Sequence, residues 1–130
     1  MSTVVATSVR ILVVDDDLDM QFLIRSILSA DPRLECIAEA ASTSEAIALT
    51  LEVGPALVIL DHQIEGEVMG LQAAQLIKSV APNTRIILFT SQDLSFEASR
   101  EPAIDLYLPK SDLQRLLAAA QQVMGLTPLA

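Results

Sequence analysis

Five short apolar runs, separated by longer stretches of helical period, leave few folds open to this chain. The runs are Arg10–Val14, Leu34–Ala40, Ala56–Leu60, Arg85–Phe89 and Leu106–Leu108, each short enough for a strand. All but the second are continuous rather than alternating, which is the pattern of strands covered on both faces. The second contains Glu35 and Glu39 and suits a position nearer a sheet edge. Between the runs, Leu18–Ser29 places Met20, Leu23, Ile24 and Ile27 on one helical stripe. Ser42 opens the next helix, with Glu45 three residues later as a capping box. Leu71–Val80 follows and is stopped by Pro82, and Leu94–Glu101 is a shorter helical segment meeting Pro102. The last helix, Ser111–Met124, carries Leu113, Leu116, Leu117, Ala120 and Met124 on one face, with Gly125 as its end signal.

Five βα units in succession predict an α/β protein: a five-stranded, doubly wound parallel sheet with five helices on its two faces and right-handed crossovers. The common strand order for such a chain is 2-1-3-4-5. Strands one and three then flank the switch point, and ligands bind there, at the carboxyl ends. The 130 residues fit one domain, read as 9–124, with a flexible tail at 1–8 and a tail or linker start at 125–130. Hydrophobic residues make up 52 % of the chain, enough for a sizeable core, but aromatics only 3 %, so Val, Ile, Leu and Ala must fill it.

Eight Lys and Arg against seventeen Asp and Glu give a net charge of −9, which disfavours direct contact with nucleic acid or anionic lipid. The single cysteine, Cys36, can form neither an intrachain disulfide nor a zinc site and reads as a buried structural thiol. The first eight residues lack the pattern of a signal peptide, and no apolar stretch is long enough to span a membrane. A cytoplasmic protein is expected.

The residues at the predicted carboxyl ends carry the chemistry. Strand one ends in Asp15 and Asp16, strand three in Asp61, strand four in Thr90 and Ser91, and strand five runs into Lys110. Carboxylates crowded at one site need a counter-charge, and a hard divalent cation with oxygen ligands, Mg²⁺ or Mn²⁺, supplies it. Lys110 offers a second cation for an incoming anion. Asp61, alone at the end of the central strand, is placed to act as a nucleophile, and phosphoryl transfer to a carboxylate needs chiefly positioning and charge neutralisation. Asp17 and Asp19 read as acids at a helix start. His62 adjoins Asp61 but reads as a loop or surface residue. On the first helix Leu18, Gln21, Phe22 and Arg25 lie opposite the apolar stripe and form a candidate docking face.

Four segments together, Val13-Val14-Asp15-Asp16, Leu57-Val58-Ile59-Leu60-Asp61, Leu88-Phe89-Thr90-Ser91 and Tyr107-Leu108-Pro109-Lys110, resemble the signatures of response-regulator receiver domains, a flavodoxin-like fold. The resemblance runs from about Val9 to Met124. It implies that Asp61 accepts a phosphoryl group from a sensor histidine kinase or phosphotransfer protein. It further implies that Asp15, Asp16, Asp61 and the backbone carbonyl of Gln63 hold Mg²⁺, and that Lys110 pairs with the phosphoryl group. Thr90 and Tyr107 would switch the surface formed by the fourth helix, fifth strand and fifth helix. That surface would control a downstream protein or a fused output domain, or drive a phosphorylation-dependent homodimer. The chain departs from the family pattern at Ile64-Glu65, at a shortened stretch between Thr90 and Lys110, at Leu106 in place of the usual glycine, and at Ser111 in place of proline. Without that proline a cis peptide after Lys110 is not expected.

Three readings follow. A stand-alone receiver comes first, with a receiver cut from a larger regulator, such as a helix-turn-helix transcription factor, beside it. A haloacid-dehalogenase-type phosphatase using Asp15 is the enzymatic alternative, because Asp15-x-Asp17, Thr90 and Lys110 imitate its motifs. A flavodoxin-like ligand binder is disfavoured by the scarcity of aromatics and the absence of a glycine-rich phosphate loop.

Overall fold

The computed structural model describes residues 8–63 and 70–129. The elements alternate along the chain: β1 Val9–Val14, α1 Leu18–Leu28, β2 Leu34–Ala40, α2 Thr43–Val53, β3 Leu57–Leu60, α3 Gly70–Val80, β4 Arg85–Thr90, α4 Ser95–Ser99, β5 Leu106–Pro109, a 3₁₀ segment Lys110–Arg115, and α5 Leu116–Val123. The five strands pair in parallel in the order β2-β1-β3-β4-β5, as the sequence predicts, with β2 and β5 at the edges.

Alternation along the apolar runs builds two cores, one on each face of the sheet. Ile11, Val13, Leu57, Ile59, Ile87 and Phe89 pack beneath α1 and α5, against Ile24, Leu28, Leu116 and Ala120. Leu12, Val14, Val58, Leu60 and Ile86 face the other way, against Ala46 of α2 and Ala73, Ala74 and Ile77 of α3. This is why β1, β3 and β4 read as unbroken apolar runs: both sets of side chains are withdrawn from water, each worth about 1.5–3 kcal/mol when large and fully buried.

Local signals set the element ends. Asp17 caps α1, its side chain accepting from the N–H groups of Asp19 and Met20, and Asp19 sits in the first turn. Ser42 caps α2 by accepting from Glu45 N–H at 3.2 Å, while the Glu45 carboxylate reaches the N–H of Ala41 at 2.7 Å. Gly54 closes α2 at φ 57°, a left-handed turn that glycine adopts without steric cost.

Three expectations are corrected. The buried stripe of α1 is Gln21, Ile24 and Leu28; Met20 and Ile27 are only partly buried, and Leu23 is 38 % exposed. The last helix is not continuous from Ser111: no side chain caps its first turn, Asp112 leaves the helical basin at φ −101° and ψ 37°, and regular helix starts at Leu116. Cys36 is half-buried rather than fully buried; burial, with Glu39 nearby, pushes its thiol up to about 11, so it stays an unreactive thiol. The fourth helix is short, as the shortened stretch predicts, and anchors through Leu94 and Ala98 on Leu88. No cis peptide occurs among the described residues. The Ile64-Glu65 departure lies outside the described residues. No helix among them is long and apolar enough to cross a membrane.

Candidate functional site

Register brings the polar residues to one edge. Val14 lies beside Leu60, and Leu60 beside Leu88, so the residues that follow leave the sheet together. The N–H of Asp15 donates to Ala40 O and that of Asp61 to Val14 O, both at 3.0 Å, extending the ladder through the site itself. One ligand oxygen from each of Asp15, Asp16 and Asp61 lies within 4.8 Å of the others; Asp15 and Asp61 are buried and Asp16 is exposed.

Lys110 stands between the two buried carboxylates. Its Nζ donates to Asp15 Oδ2 at 2.8 Å and to Asp61 Oδ2 at 3.0 Å. The remaining oxygens are held by backbone, Asp15 Oδ1 accepting from Asp17 N–H at 2.9 Å and Asp61 Oδ1 from Gln63 N–H at 3.2 Å. Burial raises the Asp15 pKa above its ordinary value even though the Lys110 hydrogen bond and Asp17 N–H pull it down. Burial also works against the charge on Lys110, but the hydrogen bonds to Asp15 and Asp61 outweigh it and hold that ammonium above the usual lysine value. Among the described residues, the site is therefore a pocket of excess negative charge with one cation and one exposed carboxylate. Three hard oxygen donors from carboxylates fit a small hard dication such as Mg²⁺ or Mn²⁺.

Thr90 is fully buried at the end of β4, its hydroxyl accepting from Gln92 N–H at 3.4 Å. Tyr107 on β5 is half-buried; its hydroxyl donates to Gln92 O at 2.9 Å and accepts from Leu94 N–H at 3.4 Å. The β4–α4 loop thus hangs between Thr90 and Tyr107. Gln63 is exposed beside Asp61. Leu18 and Phe22 are 73 % and 63 % exposed, and Arg25 lies 6.0 Å over the Phe22 ring while pairing with Glu39.

Gln21 does not belong with them. It is buried, and its Nε2 donates to Asp15 O at 2.6 Å. Apolar spacing put Ile24 inward and Leu18 and Phe22 outward correctly, but it counted the 38 % exposed Leu23 with the core and a buried polar residue, Gln21, with the outer face. Gly70 was also missed. Its N–H donates to His62 O at 2.9 Å, and a Cβ there would lie 2.5 Å from His62 Cα and 2.6 Å from Asp61 O. A glycine opening a helix shortly after an acidic strand end was the available signal. His62 is half-buried, and its Nδ1 is buried without a hydrogen-bond partner among the described residues.

A five-stranded parallel sheet with acids and a lysine at the carboxyl ends of strands one, three and five defines a doubly wound α/β domain with an anionic site at its switch point. The family model described as response regulator receiver domain matches residues 11–121, and the chain belongs to that family. It is 34 % identical over 110 residues to protein-glutamate methylesterase/protein-glutamine glutaminase 2 of Carboxydothermus hydrogenoformans, covering 82 % of this chain and 30 % of that protein. It is 30 % identical over 115 residues to response regulator protein VraR of Staphylococcus aureus, covering 87 % of this chain and 54 % of VraR. The chain thus spans about half or less of the length of these relatives.

Among solved structures, the LuxR-family two-component response regulator from Aurantimonas sp. SI85-9A1 superposes with a TM-score of 0.81 at 28 % identity, covering 94 % of this chain and 89 % of that one. The response regulator domain of Thermotoga maritima CheB superposes at 0.80 with 24 % identity, covering 93 % and 99 %, and shares the fold. Family membership decides between the receiver and the haloacid-dehalogenase-type phosphatase in favour of the receiver.

Proposed function

We propose that this receiver domain takes a phosphoryl group onto Asp61 from the phosphohistidine of a sensor histidine kinase or phosphotransfer protein. The observation that supports this best is the placement of Asp61 within 3.0 Å of the Lys110 ammonium and in one cluster with Asp15 and Asp16. A carboxylate oxygen of Asp61 attacks phosphorus, the phosphorus–nitrogen bond breaks, and the electron pair returns to the imidazole. Lys110, released from Asp61, pairs with the new phosphoryl oxygens. Asp15, Asp16, Asp61 and the Gln63 carbonyl would hold Mg²⁺ or Mn²⁺, which when bound would neutralise charge on the transferred group.

The phosphorylated state would draw the Thr90 hydroxyl toward the acyl phosphate. Tyr107, tied to the same loop through Gln92 and Leu94, transmits that change to the α4-β5-α5 surface. Leu18, Phe22 and Arg25, exposed beside the pocket, form the face that receives the kinase or phosphotransfer helix. The altered surface acts on a downstream protein, on a fused output domain or on a second copy, since a net charge of −9 disfavours direct contact with nucleic acid.

Incubation with acetyl phosphate and Mg²⁺, followed by intact-mass measurement, tests the assignment. One added phosphoryl group is expected, and none in Asp61→Asn. A gain that persists in Asp61→Asn overturns it.

A further inference from the structure

Asp15 leaves the sheet just after β1 and three residues before α1 begins at Leu18, and its carbonyl lies outside the helical hydrogen-bond series. The first carbonyl in that series is Asp17 O, which accepts from Gln21 N–H at 3.0 Å. Asp15 O is met instead by the side chain of the same residue: Gln21 Nε2 donates to it at 2.6 Å. Only the nitrogen end of an amide can meet a carbonyl oxygen, so the orientation of the group is fixed by its partner. Gln21 is 8 % exposed, in the helix row that faces the sheet, among apolar residues where a polar side chain is costly unless it is bonded.

That carbonyl belongs to the peptide joining Asp15 to Asp16. Holding its oxygen fixes the peptide plane from which both carboxylates project. The backbone N–H of Asp15 is fixed from the other side by Ala40 O, and the Asp15 carboxylate by Asp17 N–H. Together with Lys110, which donates to Asp15 Oδ2 at 2.8 Å, Gln21 therefore holds Asp15 and the peptide that leads to Asp16.

We propose that Gln21 is a positioning residue for the dication site, setting metal affinity through the Asp15–Asp16 peptide. This rests on the reading of Asp15, Asp16 and Asp61 as metal ligands. Residues that orient ligands without touching the ion typically change metal affinity by about 10–100-fold when lost.

The test is calorimetric titration of MgCl₂ into the full chain and into Gln21→Met, Gln21→Asn, Asp16→Asn and Ile24→Val, with thermal denaturation recorded without metal. Gln21→Met keeps the volume and removes the donor, and Gln21→Asn keeps the amide but shortens its reach. Each is expected to bind Mg²⁺ about tenfold more weakly or worse. Ile24→Val, a core substitution on the same face of α1, is expected to lose stability and keep the wild-type affinity. Should Gln21→Met fail to fold, Gln21→Asn carries the comparison by the same criteria. Affinity within about twofold of wild type in the Gln21 variants, with binding lost in Asp16→Asn, overturns the role of Gln21 and leaves the metal site standing. An equal loss in Ile24→Val assigns the effect to stability and also overturns it. Absence of Mg²⁺ binding by wild type, or binding indifferent to Asp16→Asn, overturns the metal-site reading and the inference together.

Discussion

Lys110 shows how one side chain holds this pocket together. It donates to Asp15 and Asp61 at 2.8 and 3.0 Å, so an ammonium lies between two buried carboxylates as their counter-charge. Lys110→Met leaves those carboxylates facing each other without a counter-charge, in a place where burial already raises Asp15. The variant is expected to be less stable than wild type at neutral pH, and the gap should narrow on acidification as a carboxylate takes up a proton. The lysine's own contribution is present below the ordinary lysine pKa of about 10.4 and is lost only as pH rises through its raised folded value, so the acidic range reports the carboxylates. Urea unfolding of both proteins between about pH 7 and pH 4 measures this, and a gap independent of pH contradicts it. At this scale the acids were legible because they end apolar runs. The bond from Gln21 was not, since a backbone carbonyl that needs a donor leaves no mark in the sequence.

At the scale of elements, the start of α3 approaches the backbone of Asp61 and His62 more closely than any side chain permits. The space at Gly70 is bounded by backbone atoms, His62 Cα and Asp61 O, which cannot rotate away. Gly70→Ala must push α3 off the sheet or displace Asp61. Such overpacking costs roughly 1–3 kcal/mol, and thermal denaturation should show that loss together with slower phosphorylation from acetyl phosphate. A variant of wild-type stability would show that the loop yields freely. The strands were readable element by element, because burial on both faces demands continuous apolar runs. The phase of α1 was readable only in part. Apolar spacing put Ile24 inward and Leu18 and Phe22 outward, as found. With apolar residues spread around the helix, only docking on the sheet decided that Gln21 and Leu28 join Ile24 while Leu23 turns toward solvent. The broken start of the last helix followed from missing capping chemistry at Pro109, and the run of leucines beyond it masked that absence.

Across the whole molecule, a third buried acid, beyond Asp15 and Asp61, ties parts of the chain that are far apart in sequence. Asp31, fully buried, accepts from Arg33 at 2.8 and 3.0 Å and from Gln121 Nε2 at 3.0 Å, and Arg33 also donates to Thr127 O at 2.6 Å. The turn after α1, the end of α5 and the segment beyond it are thus joined at the edge of the sheet opposite the acidic pocket. The Arg33 hydrogen bonds hold the Asp31 carboxyl well below the usual carboxylate range, against the cost of burial. Its stabilisation is complete above the ordinary carboxylate pKa of about 3.9 and disappears as pH falls through the depressed folded value. Asp31→Asn is expected to be less stable than wild type at neutral pH, with the two acid-unfolding curves converging at low pH; parallel curves contradict this. Local patterning by itself determined the five βα units, the strand order they favour, and the acids, hydroxyl and lysine at the strand ends, because two-sided burial and carboxyl-end placement both write periodic marks into the chain. Tertiary packing alone decided that Gln21 turns inward to the Asp15 carbonyl, that Gly70 meets the backbone behind Asp61, and that Asp31, Arg33 and Gln121 meet, because each depends on groups brought together from distant positions or on backbone atoms that no side-chain pattern records.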